Sequence, residues 1–199
     1  MTLLMNGYME QKLAALMCQY MLKNKIIQPD LFDVYCYGTE LLLSFVMSTS
    51  IIVILGIVCQ RITQTIVFLV LFIFLRRFTG GYHANTYLVC KAFTVGTYIV
   101  VISLSEISTV TTAHFFLTAL LGTSIIFIWG PIENPNKPLT LLEKKKYKTI
   151  ALVLYFGCSV IGHFIRVLSA SLSSVICYTL ISVIALMILS IFKEGGVRQ

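Results

Sequence analysis

Apolar residues along this chain fall in long runs separated by short polar gaps. Reading between charges gives Leu41 to Cys59, Ile62 to Leu75, Ala92 to Ser105, Val110 to Trp129, Thr149 to Ile165 and Val167 to Phe192. A helix needs about 20 apolar residues to span hydrocarbon, and most of these runs approach that length. None alternates with the period of two that marks a lipid-facing strand. The expected fold class is all-α: a polytopic membrane protein with six transmembrane helices. Ahead of them, Met9, Leu13, Leu16, Met17 and Tyr20 recur at helical spacing, while Lys12, Gln19 and Lys23 fall off the stripe. This pattern predicts an N-terminal amphipathic helix, either in the plane of the interface or packed on the bundle. Pro29 and Asp30 then punctuate the chain, with Asp30 placed to cap the helix leading into the first span. The expected organisation is an amphipathic region, 1–38, followed by a six-helix membrane domain, 39–199.

The second and third runs are short. Each makes only about 21 Å of helix against roughly 30 Å of hydrocarbon. Either the membrane thins there, or the helices continue through Arg76, Arg77 and Lys91 with those side chains snorkelling to the headgroups. Both possibilities put the polar segment between the two spans at or below one membrane surface.

Composition agrees with this class, since 58% of the residues are hydrophobic and only 12% charged. Six spans consume about 120 residues, which leaves no room for a Rossmann unit or a nucleic-acid module. The net charge of +7 is therefore a question of topology before it is one of nucleic-acid binding. With the amino terminus inside, the cytoplasmic segments hold 13 Lys and Arg: Lys12, Lys23, Lys25, Arg76, Arg77, Lys91, Lys137, Lys144, Lys145, Lys146, Lys148, Lys193 and Arg198. The outer loops hold 2, Arg61 and Arg166. This asymmetry predicts that both termini are cytoplasmic in a multi-pass cell-membrane protein. The first ten residues lack a basic n-region, so no cleavable signal peptide is expected.

Chemistry concentrates between the second and third spans, in Arg76-Arg77-Phe78-Thr79-Gly80-Gly81-Tyr82-His83-Ala84-Asn85-Thr86-Tyr87-Leu88-Val89-Cys90-Lys91. The glycine pair breaks a helix. On one continuous helix His83 and Cys90 would lie about 10.5 Å apart along the axis, too far to bond, so a bend is needed to bring them together. A thiol near a helix start, among cations and with no carboxylate in the segment, is set up to form a thiolate, and His83 is the candidate general base. His114 and His163 belong to the opposite membrane face, and Cys59, Cys158 and Cys177 lie within apolar spans, where a cysteine is usually a small hydrophobe. Cys18 and Cys36 belong to the amino-terminal region. No C-x-x-C pair occurs and the histidines do not converge, so neither a metal nor another cofactor is expected.

The pattern R-x-x-G-G-x-H-A-x-x-x-x-x-C, from Arg77 to Cys90, resembles the signature of the accessory gene regulator B (AgrB) family of membrane cysteine endopeptidases. The resemblance extends to Pro131-Ile132-Glu133-Asn134-Pro135-Asn136-Lys137-Pro138 and the lysines after it. It implies that Cys90 is the nucleophile and His83 its base. The substrate would be an AgrD-like propeptide, cleaved on the cytoplasmic side through an acyl-enzyme thioester and released as a cyclic thiolactone or lactone for quorum sensing. A sunken, partly dry site would favour ring closure over hydrolysis. The resemblance also implies a homodimer.

Secondary roles are expectations. Gly80 and Gly81 either let backbone N–H groups approach an oxyanion or only break the helix. Arg76 or Arg77 either steadies developing charge or anchors the span, and Glu133, Asn134 or Asn136 is placed to supply a third catalytic group. Lys144, Lys145, Lys146 and Lys148 anchor the topology, contact anionic lipid, or steer the acidic tail of the substrate. The competing reading is a non-catalytic transporter or export component for a small peptide. Almost no ionisable residue sits inside the spans, which argues against ion-coupled transport. A membrane scaffold is a third class.

Overall fold

The computed structural model describes residues 9–80, 87–132 and 140–197. Its helices are α1 (Met9–Lys23), α2 (Phe32–Val58), α3 (Ile62–Thr79), α4 (Tyr87–Ile107), α5 (Thr112–Trp129), α6 (Leu141–Ile165) and α7 (Ala170–Val197), with a short 3-10 turn at Pro29–Leu31 before α2. Among the described residues there is no strand. Helices α2 to α7 are each long and apolar enough to cross a membrane, so the all-α, six-span class holds.

The ends of the spans depart from the apolar runs for identifiable reasons. Helix α3 continues through Arg76 and Arg77 to Thr79, and α4 begins before Lys91. At 1.5 Å per residue they reach about 27 and 32 Å, so continuing through the charged residues recovers most or all of the roughly 30 Å of hydrocarbon. Helix α6 starts at Leu141 rather than Thr149 because Thr140 and Glu143 form a capping box. The Glu143 N–H donates to the Thr140 hydroxyl at 3.3 Å, and the Thr140 N–H donates to Glu143 at 2.9 Å. Helix α7 starts at Ala170, where the Ser169 hydroxyl accepts the Leu172 N–H at 3.3 Å.

The chain forms two compact units, Met1–Ile51 and Ile52–Gln199. In the first, α1 meets α2 through its small residues. Ala14 and Cys18 are buried, and the Cys18 thiol lies 3.7 Å from the Thr39 hydroxyl. Leu13, Leu16, Met17 and Tyr20 of the apolar stripe are exposed.

In the second unit α7 is the central helix, packed against α3, α4, α5 and α6. Its residues Val175, Cys177, Leu180, Val183 and Met187 form the core with Phe68 and Phe72 of α3, Tyr98 and Val101 of α4, Phe115 and Ile126 of α5, and Tyr155 of α6. Between α5 and α6 the packing depends on Gly122. A Cβ there would sit 2.2 Å from the Tyr155 ring, so only glycine admits that ring. Tyr155 uses the space to reach the Thr118 and Leu180 carbonyls, at 3.4 and 3.3 Å. One buried hydroxyl thereby joins three helices.

Candidate active site

One end of the second unit gathers the C-terminal end of α3, the N-terminal end of α4, the C-terminal end of α5 and the N-terminal end of α6. Helix α3 closes at Gly80, whose N–H reaches the Arg76 carbonyl at 3.2 Å and whose φ is +71°, a conformation that favours glycine. The adjacent Thr79 is buried, with its hydroxyl 3.0 Å from the Leu75 carbonyl and 3.1 Å from that of Gly80.

The segment leaving α5 packs directly on this stop. The Ile132 N–H donates to the Thr79 carbonyl at 3.0 Å, and a Cβ on Gly80 would meet the Ile132 carbonyl oxygen at 2.2 Å. Two sequence motifs some fifty positions apart are thus joined backbone to backbone. Aromatic contacts bring in α6. Phe78 and Tyr147 meet edge to face at 5.6 Å, and the Lys148 ammonium lies 4.5 Å above the Phe127 ring.

Cys90 lies in the first turn of α4, half-buried, and its carbonyl accepts the Thr94 hydroxyl at 3.0 Å. The two arginines of α3 are distinguished by their surroundings. Arg76 is half-buried, stacked 5.5 Å from the Phe72 ring, and interacts electrostatically with Cys90. Arg77 is exposed, 5.9 Å from the Phe78 ring. A guanidinium on the same end of the bundle as a half-buried sulfur offsets negative charge that develops there. Arg76 is the arginine in that position.

His83, Gly81, Glu133, Asn134 and Asn136 lie outside the described residues. Gly80 is the described member of the glycine pair, and its neighbours are the Thr79 and Ile132 backbones. Lys144, Lys145 and Lys146 are exposed at the start of α6, whereas Lys148 is half-buried on Phe127. His114 and His163 sit at the opposite end of the helices from Cys90. His114 bonds the Thr111 hydroxyl at 2.7 Å at the start of α5, and His163 lies 6.1 Å from Phe115 near the end of α6. That end is joined by the Arg61–Glu106 ion pair, 2.7 Å, and by a hydrogen bond between Ser108 and Tyr178. The described cysteines are all free.

Sequence reasoning passed over Thr79, Ile132, Phe78 and Tyr147. They carry no chemistry of their own, and their importance comes from contacts between distant segments.

The sequence pattern defining the family described as "Accessory gene regulator B" matches residues 14–195. A "Putative AgrB-like protein 2" of Clostridium perfringens is 28% identical over 122 residues, covering 57% of this chain and 56% of that protein. "Protein FsrB" of Enterococcus faecalis is 29% identical over 154 residues, 73% of this chain and 61% of that protein. "Accessory gene regulator protein B" of Staphylococcus saprophyticus is 26% identical over 121 residues, 60% and 64% respectively. The chain thus spans 56–64% of the length of these relatives. No solved structure matches it.

Proposed function

The chain belongs to the accessory gene regulator B family, and from that premise we propose that it processes a quorum-sensing propeptide as a membrane cysteine endopeptidase. The observation that carries this reading is Cys90 in the first turn of α4, half-buried, at the end of the unit where α3 brings Arg76 and the Gly80 stop. This environment favours a nucleophilic sulfur on the sequence segment that bears the family signature.

In the proposed reaction His83 takes the Cys90 proton and the thiolate attacks the carbonyl at the carboxyl end of the future ring. The peptide C–N bond breaks, His83 returns the proton to the departing amine, and an acyl-enzyme thioester remains on Cys90. An internal thiol or hydroxyl of the same precursor then gives its proton to His83 and attacks the thioester. A thiolactone or lactone forms, and the Cys90 sulfur is released. Partial burial of Cys90 limits water at the thioester, so a pre-positioned intramolecular nucleophile outcompetes hydrolysis.

The substrate in this reading is an AgrD-like propeptide with an acidic tail, processed at the cytoplasmic face by a homodimer with both termini inside. Gly80 and Gly81 frame the developing charge with backbone and Arg77 anchors the end of α3, while Glu133 or Asn136 orients the base. Lys144 and Lys148, from the basic cluster at the start of α6, draw the tail inward, an effect that weakens as salt rises.

The test uses the full chain in lipid vesicles with a synthetic acidic-tailed precursor. The reading expects release of the tail by the native protein, none by Cys90→Ala, and a rate at least about a hundredfold lower for His83→Ala. Processing by Cys90→Ala at the native rate would overturn it.

A further inference from the structure

The four lysines at the start of α6 do not share a face. Helical periodicity places Lys144 and Lys148 in line with Tyr147, Ala151, Tyr155, Ser159 and Gly162, the side that packs into the bundle. Lys148 is accordingly seated on the Phe127 ring and Tyr147 on Phe78. Lys145 and Lys146 fall on the opposite side, at the head of a stripe that continues through Val153, Phe156, Val160 and Phe164. All four of these apolar residues are exposed on a helix long and apolar enough to span a membrane, so the stripe is the face that α6 presents outward.

Depth agrees with direction. About 20 residues of helix fill the hydrocarbon, and counting back that far from the end of α6 at Ile165 arrives at Lys145 and Lys146. Leu142, 82% exposed, lies one turn further out on the same face. Its exposure suits the interfacial layer, where apolar side chains are partly shielded from water.

We propose that Lys145 and Lys146 form a binding site for the headgroup phosphate of an anionic phospholipid, with acyl chains lying along Val153 and Phe156. The charge is complementary, the ammonium groups stand about one hydrocarbon thickness from the far end of α6, and the face below them is apolar and exposed. The site divides the basic cluster by function, leaving Lys144 and Lys148 on the bundle side for the peptide tail. This inference rests on the membrane-spanning character of α6 and is independent of the peptidase reading.

The experiment is native mass spectrometry of the full chain from neutral-detergent micelles carrying equimolar phosphatidylglycerol and phosphatidylcholine with the same acyl chains. The expected result is a preference for phosphatidylglycerol at the first bound lipid of about thirtyfold, the product of two ammonium contacts. Lys145→Gln/Lys146→Gln should bring the preference close to parity, Lys145→Arg/Lys146→Arg should retain it, and Lys148→Gln should keep it within about twofold. The Arg pair separates loss of charge from loss of fold. Three results would each overturn the site: no preference in the native protein, an undiminished preference in the Gln pair, or a Gln pair that keeps its lipid and loses affinity for the acidic precursor. The last would assign the two lysines to the peptide.

Discussion

The Ile132 N–H donates to the Thr79 carbonyl at 3.0 Å, fastening the segment that leaves α5 to the last residue of α3. The bond is possible only because the next residue, Gly80, has no side chain. A methyl group there would lie 2.2 Å from the Ile132 carbonyl oxygen, on a backbone already at φ +71°. Gly80→Ala should therefore cost about 1–3 kcal/mol and separate the two segments. Thermal unfolding in detergent should show a lower midpoint, and precursor processing should fall with it. A variant as stable and as active as the native chain would mean that the join is incidental.

The two arginines should behave differently. Arg76 interacts electrostatically with Cys90, whereas Arg77 is exposed beside Phe78. Removing the Arg76 charge should weaken the support for negative charge at the sulfur as it reacts. Alkylation of Cys90, followed by peptide mapping, is expected to slow about tenfold in Arg76→Gln. Arg77→Gln should stay within about twofold of native. Equal effects from both would remove Arg76 from its positioning role.

Tyr147 holds the lysine-bearing start of α6 against α3 through the edge of Phe78. Tyr147→Phe keeps the ring and should process precursor normally. Tyr147→Ala loses the aromatic contact, about 1 kcal/mol beyond its burial, and should lower kcat more than it raises KM because the frame rather than the ligand contact is disturbed. Failure of the Phe variant to rescue would point to the hydroxyl instead.

Gly122 tests the bundle apart from the chemistry. Gly122→Ala forces a methyl group into the Tyr155 ring, whose hydroxyl is held by two carbonyls, and overpacking of this kind costs about 1–3 kcal/mol. The melting temperature should drop, while the intrinsic alkylation rate of Cys90 in the folded protein stays unchanged. An undiminished melting temperature would contradict the observed α5–α6 packing.

The six spans were legible because apolar runs of this length are seldom stable outside hydrocarbon. Their ends were not. At the end of α3, Phe72 and Phe78 lie beneath the two arginines, so charged residues extend the span where charge counting would stop it. At the start of α6 the signal was present as Thr140-x-x-Glu143 but preceded a run of lysines that reads as a loop. In α1 the apolar stripe and the buried face differ, since Ala14 and Cys18 are buried while Leu13, Leu16, Met17 and Tyr20 are exposed. For the candidate site, the glycine pair and the thiol near a helix start were readable as local chemistry. The choice of Arg76 over Arg77 was not, since neighbouring residues on a helix point about 100° apart and the packing of α3 decides which one turns inward. The contact of Ile132 with Gly80 likewise lies between distant segments and leaves no local trace except the glycine.

The central claim is that the Cys90 sulfur carries the acyl group of the precursor. Rapid acid quench of the full chain with an acidic-tailed precursor whose internal nucleophile is replaced by Ala, followed by peptide mapping, measures this directly. The account predicts a mass increment on the Cys90 peptide equal to the precursor without its tail, removed by hydroxylamine and absent in Cys90→Ala. Release of the tail with no adduct on Cys90, or with a hydroxylamine-sensitive adduct on another cysteine, would contradict it.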